Sequence, residues 1–174
     1  VLAVGGLAVL MLGGGTWWWV TSDAPPPQAP PPQDTSLSLP PRTEAQTESD
    51  RLLVEGRTIL RRRVFPDVYL AARELFKKAA EVDPSNGMAF AEIAFTHSNM
   101  INSGYSQDRE ADSRAALENA DRAVGLAPDR GAAYSARAAA TRSAHRFEDA
   151  LADYRRAVAL DPTQILSLAN SGLM

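Results

Sequence analysis

The sequence predicts an all-α fold: an α-solenoid of three to four helix-turn-helix repeats, preceded by one transmembrane helix and a proline-rich disordered linker. Three observations lead to this expectation. Residues 1–20 carry no charged side chain, and eight prolines lie within residues 25–41. Further along, Pro84, Pro128 and Pro162 each close a helix-like stretch, at spacings of 44 and 34 residues. Self-similarity at a period of about 20–50 residues is typical of stacked repeats.

The composition excludes several classes of function. The chain has 174 residues, a net charge of −3 and no cysteine. The missing thiols exclude a disulfide scaffold, an iron–sulfur cluster, cysteine-ligated zinc and a thiol nucleophile. Nucleic-acid binding usually needs a basic face, which this mildly acidic chain does not offer. We therefore expect no nucleic acid among the partners.

Residues 1–20 are predicted to be a membrane helix. Twenty helical residues span roughly 30 Å, the thickness of a bilayer hydrocarbon core. Trp17, Trp18 and Trp19 stand where an aromatic belt would meet the headgroups. A cleaved signal peptide, which would need a basic start and a small-residue cleavage site, and a buried helix are the alternatives. Since Arg42 is the first basic residue after this run, the predicted localisation is single-pass in a membrane, with the repeats on the periplasmic side.

Residues 21–49 are predicted to be a linker without packed structure. Their prolines fix φ and favour polyproline II. At about 3.1 Å per residue, residues 24–41 would span roughly 55 Å, so we interpret them as a stalk. The alternative is a ligand for a proline-recognising module.

The remaining residues, 50–174, repeat one ladder of small and large side chains before each of the three prolines. Its members are Ala72, Phe76 and Ala79, then Ala116, Ala120 and Ala123, then Ala150, Tyr154 and Ala157. Intervals of four and three place each set on one helical face, with alanines where helices pack closely. Helices are expected near 49–63, 67–82, 87–102, 108–126, 131–144, 147–160 and 165–173. Thr47 and Asp50 have the spacing of a capping box that would start the first of these helices.

Residues 131–164 resemble a complete tetratricopeptide repeat. The matching positions are Tyr134, Ala138, Phe147, Ala150, Tyr154, Ala157 and Pro162. Thr141 departs from the pattern, because the family prefers an aromatic residue there. Residues 53–86 and 87–130 match in part, and a partial copy begins at residue 165. The second copy has about ten extra residues near 99–108, which form either a loop at the rim of a groove or longer helices.

A narrower resemblance concerns residues 51–63. This run is similar to the start of tetratricopeptide regions in bacterial class III adenylate or guanylate cyclases and in membrane-embedded winged-helix regulators. The resemblance implies a membrane-anchored protein–protein interaction module, the sensory or scaffolding part of a larger bacterial signalling protein. The alternative is the C-terminal region of a cyclase whose catalytic domain precedes residue 1. No cyclase or winged-helix signature occurs in the 174 residues of this sequence, so the chain itself is not expected to be an enzyme.

The residues that could carry chemistry form no motif. His97 and His145 are far apart and lack metal-ligand spacing. The run of glycines 13–15 lacks the lysine and hydroxyl residue of a phosphate loop, and no Gly-x-Ser-x-Gly is present. We therefore predict no catalytic, metal-binding or cofactor-binding residue.

The family resemblance implies a concave groove lined by the first helix of each pair, which would bind a protein or peptide partner. The groove is predicted to include Met88, Ala91, Glu92, Phe95, Ser98, Asn99, Ala132, Ser135, Ala136, Ala139 and Arg142. Family members that clamp a carboxylate use lysine or asparagine where Ala91, Glu92 and Phe95 stand, so a helix or an extended apolar peptide is the expected ligand. The alternative is that several of these residues pack between repeats.

A basic stripe lies just before the second predicted helix. It consists of Arg57, Arg61, Arg62 and Arg63. The stripe could contact anionic headgroups or an acidic partner. A solvated helix face, paired with nearby acids, is the favoured interpretation.

Overall fold

The computed structural model describes residues 41–61 and 65–163, and in this part of the chain every regular element is an α-helix. Its six helices are α1 (Glu44–Leu60), α2 (Pro66–Val82), α3 (Gly87–Asn102), α4 (Arg109–Leu126), α5 (Gly131–Ser143) and α6 (Phe147–Leu160). The prediction of an all-α fold is confirmed. The helix predicted for residues 165–173 lies outside the described residues.

The helices pack in consecutive pairs. α1 packs against α2, α3 against α4 and α5 against α6, while α3 also packs against α5. α2 contacts α3 and α4 contacts α5, so each pair lies against the next. The core between them consists mainly of alanine, with Phe76 as its largest fully buried side chain. Such an arrangement is compatible with an α-solenoid.

A close approach to one carbonyl oxygen recurs in the three pairs that the structure describes. The oxygen belongs to the residue five before the proline that follows the even-numbered helix, and a small residue in the first two turns of the odd-numbered helix lies against it. The contacts join Ser49 to Ala79, Gly87 to Ala123, and Gly131 to Ala157. Ser49 Oγ donates to the Ala79 carbonyl oxygen at 2.9 Å, whereas a Cβ on Gly87 or Gly131 would lie 3.1 or 2.7 Å from the corresponding oxygen. Small residues are required there because the two backbones come close together.

We expect Gly131→Ala to lower the free energy of unfolding by about 1–3 kcal/mol, because the new Cβ would meet a backbone oxygen that cannot move aside. Gly125→Ala is the matched control, since nothing lies within 4 Å of the Cβ position in α4. Alanine has the higher helix propensity, so the control should gain up to about 1 kcal/mol. Urea unfolding of the full chain, monitored by circular dichroism, measures the free energy of unfolding of both variants. Equal effects of the two substitutions would contradict this prediction.

α1 begins earlier than expected. Thr43 Oγ1 accepts a hydrogen bond from the Gln46 N–H at 3.2 Å, and Gln46 Oε1 accepts one from the Thr43 N–H at 2.9 Å. This is a complete capping box, so the pair predicted to cap the helix, Thr47 and Asp50, lies inside it. Residues 44–49, which the sequence analysis placed in the linker, are therefore helical.

The predicted localisation is corrected by the helices themselves. Within residues 41–61 and 65–163, no helix is both long enough and apolar enough to cross a bilayer. α3 is the most apolar of the six, yet it has 16 residues and includes Glu92, whereas spanning takes about 20 apolar residues. The prediction of a single-pass membrane protein with periplasmic repeats is thus wrong on this finding. The membrane helix predicted for residues 1–20 lies outside the described residues.

The ten extra residues of the second pair are shared between its helices and its loop. α3 is three residues longer than α5, and α4 is four residues longer than α6. The remaining three residues lengthen the connection, which covers residues 103–108 instead of 144–146. Gly104, with φ 74°, ends α3 in the left-handed conformation, as His145, with φ 61°, does after α5. The excess therefore lengthens both helices, as one interpretation had it, and also the connection between them.

Candidate functional site

A pocket opens between α1, α3 and α5, the turn after α4 and the end of α6. Its volume is about 540 Å³. It is lined by Arg57, Met88, Asp129, Arg130, Gly131, Ala132, Leu160 and Asp161. Arg57 comes from α1, Met88 from α3 and Ala132 from α5, so three odd-numbered helices contribute to one concavity.

The position of each wall follows from the local structure. The turn after α4 is closed by a hydrogen bond from the Arg130 N–H to the Ala127 carbonyl oxygen at 3.1 Å, which places residues 129 and 130 beside the start of α5. Arg57 Nε donates to Glu92 Oε1 at 2.6 Å and connects α1 to α3. The Arg57 side chain is 41% exposed and that of Glu92 only 15%, so the guanidinium forms the outer part of this ion pair.

The chemistry of this pocket suits binding. Its walls combine the aliphatic side chains of Met88 and Leu160 with charges of both signs. A peptide offers apolar side chains together with amide and charged groups, and so matches a mixed surface of this kind. Among the residues that the structure describes, no serine, cysteine or histidine lines this pocket, and so none of them pairs a nucleophile with a histidine base there.

The structure divides the predicted groove residues into two sets. Met88, Glu92, Phe95, Asn99, Ala132 and Arg142 are half-buried. Ala91, Ser98, Ser135, Ala136 and Ala139 are buried. The buried set is occupied in packing between helices, which was the alternative interpretation for these positions. Of the accessible set, Met88 and Ala132 line the pocket, and Glu92 binds its Arg57.

Several residues of the pocket were not predicted. Asp129 and Arg130 lie in the turn before α5, and Leu160 and Asp161 lie at the end of α6. The prediction considered the first helix of each pair alone, yet the turns between pairs lie at the end where those helices begin. The signal available in the sequence was their position beside the two prolines, directly after Pro128 and directly before Pro162.

Two of the four arginines of the basic stripe, Arg57 and Arg61, lie within the described residues. Arg57 pairs with Glu92, and Arg61 Nη2 donates to Thr58 Oγ1 at 2.9 Å. For Arg57, pairing with a nearby acid is thus the observed arrangement. Arg62 and Arg63 lie outside the described residues.

A second cluster of polar side chains is half-buried between α2, α3 and α4. His97 Nδ1 lies 2.6 Å from Asp112 Oδ1, and Ser106 Oγ donates to Asp112 Oδ2 at 2.5 Å. Arg73 Nη1 contacts the imidazole, 3.0 Å from Nδ1 and 3.5 Å from Nε2. We assign the imidazole proton to Nδ1 because a carboxylate lies so close to it. Ser106 bonds to the aspartate and not to the histidine, so this cluster does not activate the hydroxyl as a nucleophile.

Burial and charge shift the pKa values in this cluster. Burial lowers the pKa of His97, and the positive charge of Arg73 lowers it further, against the opposing effect of the Asp112 hydrogen bond. Burial alone would raise the pKa of Asp112, but hydrogen bonds from Ser106 and His97 outweigh it and leave that pKa lowered. At neutral pH the cluster therefore holds a neutral imidazole between a guanidinium and a carboxylate.

Comparison with known proteins assigns no family. No protein-family model matches this chain, and no curated protein matches its sequence. In the part of the chain that the structure describes, no group of three or more histidine, aspartate or glutamate side chains could hold a metal ion.

Proposed function

We propose that the helix pairs are tetratricopeptide repeats and that the chain is a protein–protein interaction module. Two recurrences support this proposal beside the sequence pattern. The first is the small residue of α1, α3 and α5 that lies against the carbonyl oxygen five residues before the next proline: Ser49 through its hydroxyl, and Gly87 and Gly131 through the lack of a side chain. The second is a cation–π contact, in which Arg122 lies over Phe90 at 3.9 Å and Arg156 over Tyr134 at 5.8 Å. Each arginine stands six residues before the proline of its pair, as repeat units would require.

The observation that carries the proposed function is the pocket shared by three odd-numbered helices. In a stack of helix pairs, such a surface is continuous from pair to pair and is suited to an extended peptide or a helix. The partner we propose is accordingly a protein segment that places an apolar side chain between Met88 and Leu160. By its resemblance, the module is the sensory or scaffolding part of a larger bacterial signalling protein.

Ala132→Glu tests this function. Ala132 lies in the first turn of α5, where an acidic side chain favours the helix, so the variant should fold while its larger side chain fills the pocket. Peptides are first selected from a displayed random library against the purified full chain, and their dissociation constants are then measured by fluorescence anisotropy. We expect at least a tenfold weaker affinity, or about 1.4 kcal/mol, for Ala132→Glu.

Leu151→Glu is the matched control, because Leu151 is half-exposed on α6 and does not line the pocket. It adds the same charge and should leave the dissociation constants within about twofold. Thermal melting by circular dichroism verifies that both variants fold. Selected peptides that bind Ala132→Glu as tightly as the parent chain would refute a ligand site in this pocket.

A further inference from the structure

The junction between the first two helix pairs contains a half-buried cluster of ionisable groups. Arg73 comes from α2, His97 from α3 and Asp112 from α4, and Ser106 joins the cluster from the loop between α3 and α4. The Arg73, His97 and Asp112 side chains are 14%, 12% and 16% exposed. The cluster thus connects one element of the first pair with both helices of the second.

The next junction differs at the corresponding positions. Arg73 stands eleven residues before Pro84, and Leu117 stands eleven before Pro128. His97 and Thr141 each lie ten residues after the glycine that begins their helix. Leu117 and Thr141 line one cavity together and neither titrates, so the half-buried histidine is a feature of the first junction.

A proton added to His97 would enter a crowded electrostatic environment. With Nδ1–H donated to Asp112, the second proton goes to Nε2, which lies 3.5 Å from Arg73 Nη1. Lys77 of α2 also repels the positive imidazole, and Asp112 of α4 is the carboxylate that attracts it. On the other helices packed against α3, Arg57 of α1 pairs with Glu92, and Arg137 of α5 pairs with Asp153. Asp112 would then have to compensate both the Arg73 guanidinium and the imidazolium in a mostly buried site, while Lys77 is paired with Glu74.

We propose that this cluster makes the junction between the α1–α2 pair and the α3–α4 pair a pH-sensitive hinge, which opens when His97 takes up a proton. The direction in which stability changes with pH follows from the linkage between proton binding and folding. A histidine that resists protonation in the folded state stabilises it fully above the pKa of the unfolded imidazole, about 6.5, and this contribution is lost as pH falls toward the folded pKa. The sequence has two histidines, so a change in protection between pH 5 and 7 can be assigned to one or the other by substituting each in turn.

Hydrogen exchange of the full chain, measured by mass spectrometry at pH 7.5 and 5.5, tests the hinge. After correction for intrinsic exchange rates, we expect the amides of α2 and α3 to lose protection by up to about tenfold at the lower pH, because pH 5.5 lies about one unit below the ordinary imidazole pKa of about 6.5. The amides of α6 should keep their protection. His97→Gln, which retains an N–H donor but does not titrate, should abolish the pH dependence. His145→Gln, in the turn after α5, should retain it.

Three results would overturn the hinge. They are the same loss of protection in His97→Gln as in the parent chain, a loss that is uniform over all the described helices, and no loss at all in the parent chain. Should His97→Gln fail to fold, an NMR titration of the parent chain decides the matter, with the His145→Gln spectrum assigning the two imidazole signals. A His97 signal that titrates at or above about 6.5 would overturn the hinge, and one that titrates below it would support it.

Discussion

Replacing Phe76 by alanine is expected to lower the free energy of unfolding by about 3–5 kcal/mol, the usual cost of removing a large buried aromatic side chain. Phe76 is fully buried in the core that α1, α2 and α3 share. Its ring occupies the space beside Gly56 of α1, where an added Cβ would lie 2.4 Å from Phe76 Cε1. Because glycine lets the backbone of α1 approach the ring, position 56 has no side chain that could move into the cavity that alanine would leave.

Leu70→Ala on the same helix is the control for Phe76→Ala. Leu70 is 43% exposed, so its truncation should cost less than about 1.5 kcal/mol. A domain of ordinary stability has about 5–15 kcal/mol in total, and Phe76→Ala could leave too little folded protein for a reliable transition. Phe76→Leu then supplies the measurement, with an expected loss of about 1–2 kcal/mol. Chemical denaturation that gives Phe76→Ala no larger an effect than Leu70→Ala would contradict the placement of this ring in the core.

The helices were predictable because their signals are local. The ladder before each proline is buried at every position except Tyr154, which is half-buried. Small residues at intervals of four and three can form one apolar face in a helix and in no other regular structure. The start of α1 was missed because two capping patterns overlap within a few residues, and the complete one, at Thr43 and Gln46, begins the helix.

The site was less predictable because its residues are distant in sequence. Arg57 and Glu92 are 35 residues apart, and His97 and Asp112 are 15 apart on different helices, so no spacing rule relates them. The buried members of the predicted groove illustrate a second limit. An alanine such as Ala136 fits both a groove and a helix contact, and only the position of the neighbouring helix decides between them.

Removal of the Asp153 carboxylate is the second change for which a large effect is expected. Asp153 of α6 accepts two hydrogen bonds from Arg137 of α5, from Nε at 2.8 Å and from Nη2 at 2.7 Å. The Asp153 side chain is 12% exposed and that of Arg137 is 29% exposed, so the pair is protected from solvent on the carboxylate side. The hydrogen bond with Asp153 is the main reason why the pKa of Arg137 is raised. Asp153→Ala would leave this guanidinium without its bidentate partner between α5 and α6.

We expect Asp153→Ala to cost about 2 kcal/mol, less than a fully buried pair would, because water reaches part of Arg137. Asp121 provides a control within the same cluster, since its Oδ1 lies 3.5 Å from Arg137 Nη1 but its side chain is 67% exposed. Exposed ion pairs contribute little, so Asp121→Ala should change the free energy of unfolding by less than about 1 kcal/mol.

The double variant Arg137→Leu/Asp153→Leu distinguishes two costs. One is the loss of the hydrogen-bonded pair, and the other is a guanidinium left without its carboxylate partner. Replacing both partners by apolar residues removes the uncompensated guanidinium, so the double variant should be more stable than Asp153→Ala. Urea unfolding of all three variants at neutral pH makes the comparison. If Asp121→Ala destabilises the chain as much as Asp153→Ala does, the two carboxylates are equivalent, and the bidentate geometry between α5 and α6 does not determine the stability of the third helix pair.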